Sequence, residues 1–459
     1  MTNTPKTLKW NPDTLKVYLN REVSISPLIT FRIAFGVLML FSTIRFWVNG
    51  WITSQYITPK FFFTYMGFDW VKPLGDMGMH LVFLLIAISA AGIMLGLFYR
   101  LSAAAFFLSF TYVELIDVTN YLNHYYFVSI VGLLMIILPA GKYLSIDVWL
   151  NPKKQIAKVP FWTIGIIRLQ LGMVYFFAGL AKLNYDWLID AVPMKIWLPA
   201  KSHLPLVGSI MHYSWVAYLF SWFGAAYDLT IPFLLINRAT RKLAFLAVMV
   251  FHACTAIFFP GIGMFPYVMM LSSLIFCSAA YHDQLLAKIF RLKPFEGDNK
   301  SYSKQRNWGF AIFLGFYFLL QVYLPLRFLF YPGPLFWTEE GYRFSWRVML
   351  MEKSGNTFFY VKDAGNGKTW EVDNAQFLTP LQEKMMSTQP DMMVRYAHFL
   401  KNTYHKRGIK KPEVYAEGYV ALNGRRSQSF IDSSVDLSEQ QLSLQHMKWI
   451  KPFSNQTHK

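Results

Sequence analysis

The sequence predicts an α-helical polytopic membrane protein, with about nine transmembrane helices and a C-terminal β-rich α+β domain outside the membrane. Of its 459 residues, 54% are hydrophobic and only 15% are charged, an excess of apolar residues that a soluble surface does not tolerate. Apolar segments long enough to cross a bilayer recur as far as Phe330, and ordinary soluble composition follows. The net charge of +18 comes mostly from basic residues between these segments, so it indicates membrane lipid as a partner and no nucleic acid.

The apolar segments divide the chain into a cytoplasmic N-terminal segment (1–27), a transmembrane domain (28–330) and an extracytoplasmic domain (331–459). The predicted spans are 28–48, 80–98, 101–118, 122–140, 162–182, 214–236, 242–259, 262–280 and 309–330. Alternate connections hold most of the lysine and arginine residues, which places the N-terminus in the cytoplasm. The connections 49–79 and 183–213 and the loop NYLNHYY then lie outside, together with the C-terminal domain.

The C-terminal domain contains two predicted hairpins and one predicted helix. FFYVKDAGNGKTWEV from Phe358 alternates around a Gly-Asn-Gly turn, and EVYAEGYVALNGRRSQSFI from Glu413 turns at Asn423-Gly424. Between them, helical spacing of apolar residues begins after Asp391 and ends at Gly408. This pattern predicts the β-rich α+β character of the domain.

Lys182 is the first candidate for chemistry, because the apolar stretch MVYFFAGLAKLNYDW carries it in the last turn of a predicted span. A lysine at the edge of hydrocarbon either extends its ammonium to water or takes part in chemistry. Burial lowers the pKa of an amine by several units and can leave a free base. The small residues Ala178, Gly179 and Ala181 leave room between helices for a ligand that enters from lipid.

Five further residues are singled out by their place in the chain. Asn123 and His124 lie on the same predicted side of the membrane as Lys182. His252 lies past the middle of the seventh span, where a packing role is the commoner one for a lone histidine. Arg168 and Asp228 come at similar depth from the cytoplasmic side, so they are predicted to form a structural ion pair.

The sequence lacks the motifs of several common classes of functional site. There is no phosphate loop, dinucleotide glycine fingerprint or Gly-x-Ser-x-Gly elbow. Histidines and cysteines do not cluster at zinc spacing, so no metal is predicted. Cys254 and Cys277 both lie in apolar segments, and no disulfide framework is expected.

Several blocks of sequence resemble one family, in order along the chain. They are FRIAFGVLML, GIMLGLFYRLS, the Asn-His of NYLNHYY, FAGLAKLNYDW, FHACTAIFFPGIGMFPYVMM, YRFSW, and PEVYAEGYV through FIDSSVDL. These blocks resemble the vitamin K-dependent gamma-glutamyl carboxylases and their bacterial relatives, which share a horizontally transferred transmembrane (HTTM) domain. The resemblance implies a multi-pass enzyme, with a bacterial inner membrane as its expected location.

The resemblance also implies a reaction and its participants. Lys182 would deprotonate vitamin K hydroquinone or a related reduced naphthoquinone, with Asn123 and His124 close by as catalytic residues. Oxygen would convert the quinol anion into a strong base that removes a γ-proton from a peptide glutamate, and carbon dioxide would add to the carbanion as the quinol becomes the epoxide. The predicted substrate- or quinone-binding residues are His252, Phe265, Met269, Tyr342 and Trp346. No metal is implied.

The chain departs from the animal enzymes beside the predicted base and in segments that could supply a cation for the glutamate. Ala181 replaces a second lysine, Met351, Glu352 and Lys353 replace a His-Ser-Arg run, and DSSVD from Asp432 lacks an arginine. A glutamate carboxylate requires a cation. The candidates are arginines that can equally be solvated surface charges, namely Arg343, Arg347, Arg425 and Arg426.

Two alternative functions therefore stay open. The first is a quinol epoxidase or oxygenase without glutamate carboxylation. The second is a non-catalytic quinone- or lipid-binding membrane protein, in which Lys182 only extends its ammonium to water.

Overall fold

The computed structural model describes residues 12–291, 302 and 308–454. Residues 1–11 of the predicted N-terminal segment, most of 292–307 with its basic residues, and the tail 455–459 lie outside the described residues. The described part forms a helical bundle followed by an α+β domain. The helices of the bundle are α1 (Pro12–Asn20), α2 (Ser26–Val48), α3 (Gly75–Leu95), α4 (Tyr99–Ile116), α5 (Asn123–Ile137), α6 (Ile146–Leu150), α7 (Trp162–Ala181), α8 (Tyr185–Leu188), α9 (Val192–Trp197), α10 (Ser214–Ile236), α11 (Arg241–Phe258), α12 (Phe265–Ser273), α13 (Ala279–Phe290) and α14 (Trp308–Leu326).

The prediction of nine spans is not confirmed. All nine predicted segments are helical, but within the described residues only six helices are long and apolar enough to cross a membrane. The segment predicted as 262–280 is broken, and its two parts, Phe265–Phe276 and Ala279–Phe290, meet at 115°, giving a seventh span if they count as one. Helix α5 has only 15 residues, and α4 carries Arg100 and Glu114, so neither qualifies.

The C-terminal domain contains the predicted hairpins and helix. Its helices are α15 (Leu335–Thr338), α16 (Pro380–Met386) and α17 (Pro390–Lys406). Two short strands in the bundle, β1 (Glu22–Ser24) and β2 (Lys158–Pro160), form a separate antiparallel ribbon. The strands of the C-terminal domain are β3 (Lys353–Asp363), β4 (Thr369–Val372), β5 (Pro412–Leu422) and β6 (Gln428–Ser429). The strands form an antiparallel sheet in the order β4-β3-β5-β6. Alternate residues of β5 are buried, and helix α17 packs against this strand through Met393, Tyr396 and Leu400. Both predicted hairpins and the predicted helix are thus confirmed.

The C-terminal domain contacts the three connections that were predicted to share one side of the membrane. Gln382 bonds to Asp117 after α4, Asn123 bonds to the backbone of Arg347, and Trp197 donates to Glu352. Arg395 pairs with Asp69 in the first connection. These contacts join the C-terminal domain to the bundle.

Gly179 allows α7 and α10 to approach each other closely. A Cβ added at Gly179 would lie 2.7 Å from the backbone nitrogen of Leu229 and 3.0 Å from the carbonyl carbon of Asp228. Gly172, two turns earlier on the same interface, has room, because its Cβ would lie 3.6 Å from Pro232. The close approach at Gly179 therefore brings the backbone of Asp228 next to the end of α7.

We expect Gly179→Ala to destabilise the protein by about 1–3 kcal/mol, because the new methyl group must push the backbone of α10 away. Gly172→Ala is the matched control and is expected to be neutral or slightly stabilising. Thermal unfolding of both variants in detergent tests this. Equal melting temperatures for the two variants would contradict the close approach.

An ion pair joins α8 to the turn between β5 and β6. The Asp186 carboxylate accepts hydrogen bonds of 2.6 and 3.0 Å from Arg425 and one of 2.6 Å from Asn423. Burial opposes ionisation of Asp186, but the bonds from Arg425 and Asn423 outweigh it and hold the pKa of the carboxyl below its usual range. The ionised Asp186 therefore stabilises the contact between bundle and domain.

Asp186→Asn is expected to cost about 1–3 kcal/mol at neutral pH. The folded-state pKa of Asp186 is lowered, so its stabilisation is present above the unfolded pKa of about 3.9 and is lost as the pH falls through the folded value. The difference in melting temperature between wild type and variant should therefore shrink below about pH 4. Asp190→Asn is the control, because Asp190 lies 4.0 Å from Arg425 and is partly exposed. A pH-independent difference would contradict the assignment.

Candidate active site

An apolar cavity of about 340 Å³ lies between α7, α10, α11 and α12. Its lining includes the predicted residues Lys182, His252, Phe265 and Met269. Three lining side chains, Leu219, Phe223 and Val250, are more than half exposed, so the cavity reaches the apolar surface between α10 and α11. A cavity of this size and lining suits an apolar ring system that enters from lipid.

Lys182 and Asp228 form a buried ion pair in this cavity. Lys182 ends α7, and its Nζ lies 2.7 Å from Asp228 Oδ2 and 3.3 Å from the carbonyl oxygen of Ala178. The two residues are only 7% and 6% exposed, so Lys182 does not extend its ammonium to water. Trp187 covers the pair, with its ring centroid 5.5 Å from Nζ.

The residues that follow Lys182 fix the position of the Trp187 ring. The Asn184 side chain accepts a hydrogen bond from the Trp187 backbone and so caps α8. The Trp187 indole donates to the Ser221 carbonyl, and the Ser221 hydroxyl donates to the Trp187 carbonyl. This reciprocal pair ties the short helix to α10 above the Lys182–Asp228 pair.

The predicted ion pair between Arg168 and Asp228 is wrong. Arg168 donates instead to the backbone carbonyls of Ile275 and Cys277, at the break between α12 and α13. These carbonyls lack helical partners because the helix stops there, and Arg168 satisfies them. Asp228 is left to pair with Lys182.

His252 and its neighbours form the inner wall of the apolar cavity. The His252 Nε2 lies 3.0 Å from the Tyr175 hydroxyl, and its Nδ1 is buried without a hydrogen-bond partner in the part of the chain that the structure describes. Phe265 lies edge-on to His252, with ring centroids 5.6 Å apart. An unpartnered ring nitrogen beside aromatic walls can bond to a hydroxyl or carbonyl of a bound ring.

A second, more polar cavity of about 740 Å³ lies between the bundle and the C-terminal domain. Asn123, His124 and Tyr342 line it, and the Nε2 of buried His124 has no partner among the described residues. The Asn123 side chain accepts from the Tyr121 hydroxyl and donates to the Arg347 carbonyl, so its hydrogen-bonding groups are already engaged. Asn123 is therefore placed to position the polypeptide around Arg347.

The two cavities share a wall. Phe259, Ile262, Phe265, Val348 and Met349 line both of them. Lys182 thus lies in the apolar cavity, while Asn123 and His124 lie in the polar cavity beyond this wall. The predicted catalytic residues are brought to adjoining cavities and not into a single one.

The segment 342–349 that contributes to this wall is strained. Phe344, Trp346 and Met349 all have positive φ angles, of 60°, 60° and 50°. Each such residue costs on the order of 1–3 kcal/mol and persists where its surroundings hold it, often at functional sites. The Tyr121 hydroxyl, which accepts from the Phe344 backbone, and Asn123 hold this segment.

Trp346 lines neither cavity, although it was predicted to bind substrate or quinone. It is buried and stacks on Tyr126, with ring centroids 5.0 Å apart. Of the candidate arginines, Arg426 is exposed, whereas Arg343 pairs with Asp391 and Arg425 with Asp186. Arg347 is buried in the polar cavity.

Sequence reasoning missed two residues that contribute to the site and the partner of a third. Tyr175 and Trp187 lie on either side of Lys182 in the stretch that was singled out, but nothing local marks their contacts. Asp228 was recognised as a buried charge and given the wrong partner. The signal that could have identified its partner is the Gly179 position, which brings α10 nearest to the end of α7.

The fold and the site define a multi-pass helical membrane protein with an apolar ligand cavity that contains a buried lysine–aspartate pair. Two family models match the chain: the HTTM domain at residues 20–281, which spans more than half of it, and the vitamin K-dependent gamma-carboxylase lumenal domain at residues 306–456. The chain therefore belongs to the vitamin K-dependent gamma-carboxylase family and carries its HTTM domain. No solved structure matches it. Membership indicates an enzyme of vitamin K-dependent carboxylation in general terms.

Proposed function

We propose that this protein carboxylates peptide glutamate at the γ-carbon, coupled to epoxidation of vitamin K hydroquinone or a related reduced naphthoquinone, with Lys182 as the base that deprotonates the quinol. Glutamate, carbon dioxide, oxygen and quinol would give γ-carboxyglutamate, the epoxide, water and a proton. One observation carries the proposal: the buried Lys182–Asp228 pair lies in an apolar cavity that adjoins a polar cavity under the C-terminal domain.

The Lys182–Asp228 pair supplies a route for the quinol proton. When Asp228 holds the proton of the pair, Lys182 is a neutral amine and can accept a second proton from a quinol hydroxyl. The pair then carries one positive charge beside the quinol anion, so the cavity stays neutral overall. In an apolar surrounding this neutrality matters, because an isolated buried charge is very costly.

The residues that line the apolar cavity fit a naphthoquinol. Phe223, Phe251 and Phe265 supply aromatic walls, and the unpartnered Nδ1 of His252 offers a hydrogen bond to a ring oxygen. The opening between α10 and α11 gives a long apolar tail a route to lipid. His124, whose Nε2 has no partner among the described residues, can donate to an oxyanion that develops in the adjoining polar cavity.

The proposed orientation has the N-terminus in the cytoplasm and the C-terminal domain outside. The connections that contact this domain are those with few basic residues, which supports the charge-based prediction. The peptide would then reach the polar cavity from the extracytoplasmic side.

The experiment is an assay of the purified protein in lipid nanodiscs with reduced vitamin K, a glutamate peptide and labelled bicarbonate, with an active animal carboxylase as positive control. Epoxide together with label in the peptide supports the proposal. Epoxide without label overturns the carboxylation half and leaves a quinol epoxidase. Neither product, with an active control, favours a non-catalytic quinone- or lipid-binding protein.

A further inference from the structure

Arg347 is a buried cation. It is only 7% exposed and lines the polar cavity, and its Nε is buried without a hydrogen-bond partner in the described parts of the chain. Among the described residues, no acidic side chain forms an ion pair with it, and its guanidinium carbon lies 4.5 Å from the centre of the Phe328 ring. Burying a charge that has no counter-charge is costly, so the position calls for an explanation outside structural stability.

The other charged groups of the cavity are engaged elsewhere. Arg343 is bound by Asp391, which outweighs the opposing effect of burial and raises the pKa of the guanidinium. Lys353 pairs with Glu339 at 2.8 Å. The Glu352 carboxylate accepts from the indole of Trp197.

At Arg347, in contrast to Arg343, the pKa of the guanidinium is lowered, because burial is the dominant effect. Burial lowers the pKa of this guanidinium to about 10, so the group stays charged at neutral pH while its charge is poorly compensated. Lys201 also lines the cavity, but it is partly exposed and solvated. Arg347 is thus the buried cation of this cavity whose donors are available to a ligand.

Arg347 is held in place by a hydrogen bond and by a segment with a strained backbone. Asn123 donates a 2.8 Å hydrogen bond to its carbonyl oxygen, and the residue lies between Trp346 and Met349 in the strained segment. Val348 and Met349, the next residues, belong to the wall shared with the apolar cavity. A ligand at Arg347 would therefore lie beside the boundary with the cavity of Lys182.

We infer that Arg347 binds the side-chain carboxylate of the substrate glutamate, which deepens the proposed function and rests on it. A guanidinium binds a carboxylate through two parallel hydrogen bonds. The carbon that loses its proton is bonded to this carboxylate, so negative charge that develops on the carbon spreads onto the oxygens held by Arg347. The same contact thus binds the substrate and stabilises the carbanion.

The experiment compares Arg347→Met, Arg347→Lys and wild type, with Lys201→Met as the control for removing a cation from the same cavity. Thermal stability is measured with and without a glutamate peptide and with the same peptide carrying glutamine. Label incorporation and epoxide formation are measured in parallel. The thermal measurements need no vitamin K and no turnover.

We expect the glutamate peptide, and not the glutamine peptide, to raise the melting temperature of wild type and of Lys201→Met but not of Arg347→Met. The KM for the glutamate peptide should rise about 10- to 100-fold in Arg347→Met and less in Arg347→Lys. Without peptide, Arg347→Met should be at least as stable as wild type, because a buried uncompensated charge is gone.

Three results would overturn the inference. They are equal effects of Arg347→Met and Lys201→Met on the KM, a lower melting temperature of ligand-free Arg347→Met, and no difference between glutamate and glutamine peptides in wild type. If wild type makes neither epoxide nor labelled peptide, the proposed function fails. The glutamate-dependent thermal shift then still decides whether Arg347 binds a carboxylate.

Discussion

Lys182→Met is expected to lower the rate of epoxide formation by about 10²- to 10⁴-fold, the usual contribution of a positioned base. Methionine keeps the apolar stem that packs near Gly224 and Trp187 and removes only the amine. Epoxide formation and label incorporation should fall together, because the quinol anion precedes the strong base. The measurement is the initial rate of both products at saturating quinol.

Lys195→Met is the matched control for this change. Lys195 lies in the connection that follows Lys182, donates to the Tyr218 hydroxyl, and lines neither cavity. Its variant should keep wild-type rates. A Lys182→Met protein that is folded and retains more than about a tenth of the wild-type rate would refute the assignment of the base.

The sequence predicts elements whose determinants are local. The turn at Asn423-Gly424 has positive φ at both residues, which Asn and Gly adopt most readily, and the alternation of β5 follows from burial of one face. Hydropathy predicts that the nine segments are apolar helices, but it does not report where a helix stops. The break after Phe276, where two short helices meet at 115°, therefore does not show in the hydropathy of the segment.

The same break explains the wrong partner of Asp228. Counting residues along the spans puts Arg168 and Asp228 at one depth, yet Arg168 is satisfied by carbonyls that only the broken helix exposes. Counting also ignores side-chain reach. The Lys182 side chain runs back along α7 to within 3.3 Å of the Ala178 carbonyl, one turn earlier, and meets Asp228 there.

The sequence predicts several residues of the site but not the contacts that position them. Lys182, His252, Phe265 and Met269 do share a cavity, because apolar helix faces around one lysine leave few alternatives. The buried state of Arg347 depends on a segment whose strained backbone is held by Tyr121 and Asn123, through hydrogen bonds that span 223 and 224 residues of the chain. No local pattern in the sequence reports such a contact.

The second large effect concerns the stability of the Lys182–Asp228 pair. Asp228→Leu leaves a buried ammonium without its counter-charge and should destabilise the protein by about 3–5 kcal/mol. Lys182→Met likewise leaves the Asp228 carboxylate buried without its counter-charge and should also destabilise the protein. The double variant replaces both groups by apolar side chains of similar size and should recover most of the lost stability.

Thermal unfolding of wild type, the two single variants and the double variant forms a double-mutant cycle that tests this pair. A melting temperature of the double variant above that of Asp228→Leu means that the two charges compensate each other in the folded protein. Additive losses would mean that they do not interact. The double variant should be inactive in either case, because the recovery of stability restores neither the amine nor the carboxylate. Stable but inactive protein would therefore separate the chemical role of the pair from its role in folding.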